Sequence, residues 1–337
     1  MTSSSAPTPS AHVKPSGGLR SLLTGKAGAR SRRRWVDYAF VVAFVLLVVI
    51  TATVSDVFFT QRNLSNVGRQ AVTNGLLSLG MLVVVLTGGI DLSVGSVVAL
   101  AAVMVSGMSK GGMPLLLAIL TCLVVGVAAG AVNGVFIARF KLQPFIVTLA
   151  TMGAIRGVVF VYSDIPITPT DPAFRAVLGA GFVGPFPVSA LIMLACYPIV
   201  WFFINRAKSG RAIVAIGGNE EAVRLAGINV SWHILLAYMI SGLFAALAGV
   251  MLASRLGIAQ PSVGAAFELD AIAAVVIGGA ALGGGGGGGS VFGTLAGVVA
   301  LGVIDNLLNL FNVQSYYQQI FKGVIILVAV LARRKQE

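Results

Sequence analysis

What most constrains this chain is a succession of apolar runs of membrane length between Tyr38 and Leu331, parted by short polar connections. A bilayer core takes about 20 apolar residues per helix and offers no partner to a stranded peptide group, so such runs must fold as helices. Read in order they give about ten spans: Tyr38 to Val54, Ala71 to Thr87, Val97 to Met108, Pro114 to Ala138, Pro144 to Tyr162, Ala190 to Ile204, His233 to Ser254, Leu269 to Leu282, Val291 to Leu308 and Tyr316 to Leu331. The eighth is short enough to be re-entrant. Hydrophobic residues make up 57% of the chain and charged residues only 10%, which reads as an all-α membrane protein and excludes a soluble domain with one large core.

The charge of +12 invites comparison with nucleic-acid binders, but its distribution argues otherwise. Lys14, Arg20, Lys26, Arg30, Arg32, Arg33 and Arg34 precede Trp35, and no acid precedes Asp37. Residues 1–37 therefore read as a basic, disordered cytoplasmic tail under the positive-inside rule, too polar and too long for a signal peptide. Residues 38–204 form a first transmembrane half, 205–231 a cytoplasmic loop, 232–332 a second half and 333–337 a short tail. With both ends inside, Arg139, Lys141, Arg206, Lys208, Arg211 and Arg224 join the basic ends in the cytoplasm, while Arg62, Arg69, Lys110, Arg175 and Arg255 fall outside. Cys122 and Cys196 lie within apolar runs and read as buried free thiols, with no disulfide and no metal site.

Two stretches interrupt the pattern informatively. Gly88-Gly89-Ile90-Asp91-Leu92-Ser93-Val94-Gly95 breaks the chain between two apolar runs. Glycines let the backbone leave the helix at little steric cost, and Asp91 and Ser93 are placed to bond the free N–H groups of the helix that follows. An ionisable residue in a broken membrane helix marks a wet passage or gate, or else a simple cap. Val276-Ile277-Gly278-Gly279 opening onto Ser290-Val291-Phe292 echoes this break on the same side of the membrane, so the halves read as two parallel pseudo-repeats. A pathway would then lie between the halves or between two copies of the chain. Gln70, Asn74, Gly88, Gly89, Asp91, Ser93, Phe145, Asn306 and Asn309 are candidate pathway or gate residues, each equally suited to gluing helices together.

The second stretch is Gly217-Gly218-Asn219-Glu220-Glu221-Ala222-Val223-Arg224-Leu225-Ala226-Gly227-Ile228. Asn219 is a good N-cap, Glu220 and Glu221 suit the positive end of a helix dipole, and Gly227 closes a short helix containing Arg224. Ala222, Leu225 and Ala226 share one small apolar face, fit for the membrane surface or for a partner's groove. Ser163 to Pro187, with five prolines, forbids a continuous helix. Among the intramembrane charges, Arg255 is expected near Glu268 and Asp270, and Asp305 and Lys322 toward the outer face.

These motifs, with Ala259-Gln260-Pro261, Glu268-Leu269-Asp270-Ala271-Ile272-Ala273-Ala274 and Ser315-Tyr316-Tyr317-Gln318, resemble in order the membrane permease of bacterial ATP-binding-cassette sugar importers, the ribose permease family above all. The resemblance runs from about Val54 to the C-terminus. It implies an inner-membrane permease, paired with a second copy or a related chain, that is not an enzyme and binds no cofactor. ATP and Mg would sit on cytoplasmic ATP-binding subunits, and a periplasmic sugar-binding protein would deliver the sugar. In that family an acid-Ala-Ala-like element touches the ATPase. Here Glu221-Ala222 and Gly227 stand in those places, with Val223 for the second Ala and Gly218, Asn219, Glu220 and Arg224 around them. One departure is Gly278-Gly279-Ala280-Ala281-Leu282 followed by seven glycines, where family members carry hydroxyls and often a basic residue. An ion-coupled secondary sugar transporter or a passive channel remains as the alternative, and the resemblance weighs against both.

Overall fold

The computed structural model describes residues 45–46, 48–49, 51–53, 55–281 and 289–334. The basic tail, most of the first expected span, Leu282 to Gly288 with the end of the eighth expected span, and the last three residues lie outside the described residues. Eleven helices of the described residues carry the argument. The first, α1 (Gln61–Val85), starts ten residues earlier than the apolar run suggests. Thr60 is the reason, because its hydroxyl accepts the Asn63 N–H at 3.3 Å and starts the helix within the polar connection. From Ala71 to Val85 nearly every residue of α1 is buried, which makes it the central column of the protein.

Around this column stand α2 (Val94–Lys110), α3 (Leu115–Ala138) and α4 (Pro144–Tyr162). The proline-rich segment then forms a π-helical turn (Phe174–Gly179) and a two-residue hairpin, β1 (Phe182–Val183) with β2 (Phe186–Pro187). Next come α5 (Val188–Arg206), α6 (Lys208–Gly218), α7 (Glu220–Leu225) and α8 (Val230–Leu256). The second half ends with α9 (Phe267–Ile277), α10 (Val291–Leu310) and α11 (Ser315–Arg334). Among the described residues α3, α4, α5, α8 and α10 are long and apolar enough to cross a membrane. By contrast α9, with 11 residues, is too short to cross alone.

Small residues decide the packing, because lipid tails are as apolar as leucine and give helices no hydrophobic reason to associate. The most extensive helix contact, α3 on α8, is built on Gly126, Gly130 and Gly134, which follow one another every four residues on one face of α3. A methyl group on Gly130 would lie 2.1 Å from the Tyr238 carbonyl oxygen, and one on Gly126 2.4 Å from that of Gly242. The backbones are therefore in direct contact. The second half follows the same rule at α9 and α10, where a methyl on Gly278 would lie 2.5 Å from the Gly293 backbone. Both of these helices pack on α1.

Each end of the bundle is tied by its own set of polar contacts. At one end Lys141 bonds Glu220 at 2.9 Å and the Ser231 hydroxyl donates to the Ala138 carbonyl. At the other, Arg69 donates to the Ala180 carbonyl, Arg255 to the Arg69 carbonyl and Thr170 to the Ser109 carbonyl.

Gly130→Ala should force α3 and α8 apart and cost about 2 kcal/mol or more. Gly153→Ala, at a position with open space around it, should leave stability unchanged or slightly raised. Thermal unfolding of the detergent-solubilised protein checks both, and equal midpoints for the two variants would refute the backbone-contact account.

Candidate functional site

Helix α1 ends at its C-cap Leu86, and Gly88 turns the chain with φ +85°, a left-handed value that favours glycine. Gly89 then passes directly beneath Tyr238 of α8. A methyl group there would lie 2.5 Å from the Tyr238 hydroxyl oxygen. That hydroxyl and the one of Thr148 in α4 both donate to the Ile90 carbonyl, each at 3.4 Å. The exposed end of a broken helix is thus roofed by side chains from two other helices.

Asp91 follows, only 1% exposed, and its carboxylate organises the centre of the protein. Its Oδ1 accepts the Ser93 N–H at 3.0 Å and the Ser93 hydroxyl at 2.6 Å, while Oδ2 accepts the Ser241 hydroxyl of α8 at 2.7 Å. The Ser93 oxygen in turn accepts from Asn133 Nδ2 of α3 at 2.9 Å, and Asn133 Oδ1 accepts the Thr151 hydroxyl of α4 at 2.7 Å. Ser93, Asn133 and Ser241 are as buried as Asp91. One carboxylate therefore ties the break to three helices. Ser93, the N-cap of α2, spends its hydroxyl on Asp91, and Asp91 bonds the N–H of Ser93 itself, so neither residue caps the N–H groups of the helix as the sequence leads one to expect.

The remaining candidates do not join this network. Gln70 is exposed on α1, and Asn74 is half-buried there with its carbonyl accepting the Ser78 hydroxyl at 2.6 Å. Phe145 projects from the first turn of α4, 55% exposed. Asn306 exchanges two amide hydrogen bonds with Asn63 at 2.8 and 3.0 Å, fastening α10 to α1. Asn309 accepts from Gln318 Nε2 at 2.9 Å. Sequence reading missed Asn133, Thr151, Tyr238 and Ser241. Their signal was a lone polar group inside an otherwise apolar span, the pattern that Asn133 and Ser241 show most clearly.

The loop of residues 205–231 is more ordered than its composition suggests, for two helices occupy it. α6 sits against the break itself, where a methyl on Gly217 would lie 2.1 Å from the Leu86 carbonyl oxygen. In α7, Asn219 Oδ1 accepts the Ala222 N–H at 2.9 Å, and Gly227 follows the helix at φ +79°. Gly218 ends α6 and leads into this cap. Glu220 bonds Lys141, and the Arg224 guanidinium bonds the Glu221 carboxylate and holds its carboxyl below the usual carboxylate range. Glu221 accordingly stays charged at neutral pH, and loses that charge only when pH falls through its lowered value. Only Val223 of α7 is buried, at 7% exposure, while Ala222, Ala226 and Leu225, the last 80% exposed, face outward. Val223 shares one buried cluster with Val84, Ile137, Val147, Ile216 and Tyr238.

The other charges pair differently from expectation. Lys322 of α11 bridges Asp270 of α9 at 3.0 Å and Asp305 of α10 at 3.1 Å. Arg255 bonds the Arg69 carbonyl rather than Glu268 or Asp270, and Arg156 donates to the carbonyls of Pro261 and Val263 at 3.0 and 2.7 Å. Estimates of depth along a span put like neighbours together but do not reveal which element folds back between them.

Comparison with known proteins places this geometry in a family. Residues 63–330 match the family model described as branched-chain amino acid transport system / permease component. The chain is 43% identical to the ribose import permease protein RbsC of Haemophilus influenzae over 86% of its own length and 91% of the relative's. It is 44% identical to the RbsC of Bacillus subtilis over 86% and 90%. To the L-arabinose transport system permease protein AraH of Escherichia coli K12 it is 36% identical over 95% and 98%. No solved structure matches.

Asp91→Ala should strand the buried donors of Ser93 and Ser241 at about 1–3 kcal/mol each and lower the thermal midpoint markedly. Asp91→Asn keeps the Oδ1 acceptor, and the Ser241 hydroxyl can turn to accept, so most stability should remain. Equal losses for the two variants would show that the charge, not the hydrogen-bond pattern, holds the break.

Proposed function

Because the chain belongs to the branched-chain amino acid transport system / permease component family, we propose that it is the membrane-spanning permease of an ATP-driven importer whose cargo is ribose. The observation that carries this reading is the 42–44% identity to ribose import permeases along some nine-tenths of their length. The chain contributes the passage, not the chemistry. ATP and Mg belong to a separate cytoplasmic subunit, and a periplasmic sugar-binding protein presents the cargo.

The geometry supports this division of labour. α7 offers Ala222, Leu225, Ala226 and the partly exposed Ile228 to the cytoplasm, an apolar ridge flanked by Glu220, Glu221 and Arg224. A ridge of this size, held from behind by Val223, suits a groove on the ATP-binding subunit. The positions from Gly218 to Gly227 are its coupling surface. The distribution of Lys and Arg favours both termini inside a bacterial inner membrane, with about ten spans once the residues before α1 are counted.

A pathway between two copies of the chain is favoured by α4, the least buried of the candidate spans. Its first turns present Phe145 and Leu149 outward while Thr148 and Thr151 reach back to the break. An aromatic ring beside a hydroxyl-rich break is suitable chemistry for a neutral sugar. A homodimer is the simplest assembly that lines such a passage from both sides.

Uptake of radiolabelled ribose into proteoliposomes tests the proposal. Transport should require this chain, the ATP-binding subunit with ATP, and the sugar-loaded binding protein. Uptake by the chain alone would make it a secondary transporter or channel. Leu225→Glu, an exposed change that leaves the fold intact, should cut co-purification with the ATP-binding subunit at least about tenfold, the loss of one well-placed anchor. Undiminished co-purification would remove α7 from the docking surface.

A further inference from the structure

The end of α1 that leads into the break meets the two cytoplasmic helices at two points. At the first, Gly217 of α6 lies so close to the Leu86 carbonyl that no side chain fits between them. At the second, Val223 of α7 and Tyr238 of α8 belong to one apolar cluster with Val84, in the last turn of α1. Tyr238 leads on from that cluster to the break, its hydroxyl over Gly89 and bonded to the Ile90 carbonyl at 3.4 Å. The space between that hydroxyl and Gly89 admits no side chain, so a shift of the ring toward the break would press on Gly89.

Gly88 turns the chain in a left-handed conformation at one end of the break, and the hydrogen bonds of Asp91 hold the other. A helix pair that shifts under a partner's load would move the Leu86 carbonyl and the Tyr238 ring together. Both bear on the run from Gly88 to Asp91.

Resting on the importer reading, we infer that Tyr238 is the positioning residue that carries displacement of the docking helix to the Gly88–Ser93 break, acting on Gly89 and Ile90. Tyr238 touches neither ATP nor the ATP-binding subunit. Its role is to convert sideways motion of α7 into opening or closing of the passage, and Gly89 is glycine because that contact leaves no room for a side chain.

The test is a clash and its relief, read in the full importer. Gly89→Ala places a methyl 2.5 Å from the Tyr238 hydroxyl, whereas the next neighbours, Val84 and Thr87, stand at 3.3 and 3.4 Å. Gly89→Ala should lower ATP-dependent ribose uptake at least about tenfold while co-purification with the ATP-binding subunit is kept. Adding Tyr238→Phe, which removes the atom that is struck, should return uptake to within about threefold of Tyr238→Phe alone. Val223→Ala, at the other end of the route, should reduce the sugar taken up per ATP hydrolysed. Normal uptake by Gly89→Ala would overturn the inference, and so would a double variant that assembles but fails to recover. Wild-type uptake that proceeds without the ATP-binding subunit would instead overturn the importer reading on which the inference rests.

Discussion

A chain that leaves helical geometry inside a bilayer strands its peptide groups where no water can reach them, and the centre of this protein is arranged around meeting that demand between Ile90 and Ser93. The Ile90 carbonyl receives two hydroxyls and the Ser93 N–H receives Asp91. Asp91 itself needs donors, and Ser241 and Ser93 provide them. Asn133 then donates to the Ser93 oxygen, and Thr151 donates to Asn133 Oδ1. Each polar group is explained by the one before it, and the sequence ends at hydroxyls that also bond their own helix backbone, as Thr151 does with the Val147 carbonyl. Such networks are stable when every member is satisfied and costly when one is removed.

The glycine contacts serve the same end. Asn133 stands one residue from Gly134 on α3, and Tyr238 and Ser241 flank Gly242 on α8. Close approach of the two helices at Gly126, Gly130 and Gly242 brings those polar side chains within reach of the break. A larger residue on either helix would hold them off by more than a hydrogen bond can span. Packing and polar satisfaction are therefore one constraint rather than two.

How much of this was legible in the sequence follows from which interactions are local. The break, its glycines, the Asn219 cap and the closing Gly227 are properties of a few neighbouring residues, and each was readable in place. The start of α1 was not, because an apolar run says nothing of the polar turn that Thr60 nucleates. The helix Lys208–Gly218 was hidden for a related reason. Its charged and apolar residues mix to an average that reads as a hydrophilic loop, although Ile213 and Ile216 are fully buried. Ser241, Asn133 and Tyr238 lie 150, 42 and 147 positions from Asp91 and meet the break only through folding, so a lone polar group in an apolar span marks such residues without naming the partner. The placing of Asp305 and Lys322 at one depth fits their ion pair, whereas the bridge from Lys322 to Asp270 was missed, since it depends on how α11 returns against α9 and α10.

The two breaks share a geometry and differ in chemistry, and that difference bears on how the halves work. At the second, Gly279 turns the chain at φ +112°, Gly278 packs backbone to backbone on Gly293, and the side-chain bond is the local cap of Ser290 on the Gly293 N–H. Gly289 faces Leu82 and Leu86 of α1, apolar neighbours with no preferred direction. The first break is therefore held by directional side-chain bonds, and the described residues of the second mainly by packing. Alanines at positions 280 and 281 fit that division, because a hydroxyl there would face Ala280's apolar surroundings without a carboxylate like Asp91 to receive it. Both breaks thus meet at the same end of α1, which carries the first and packs against Gly289 of the second.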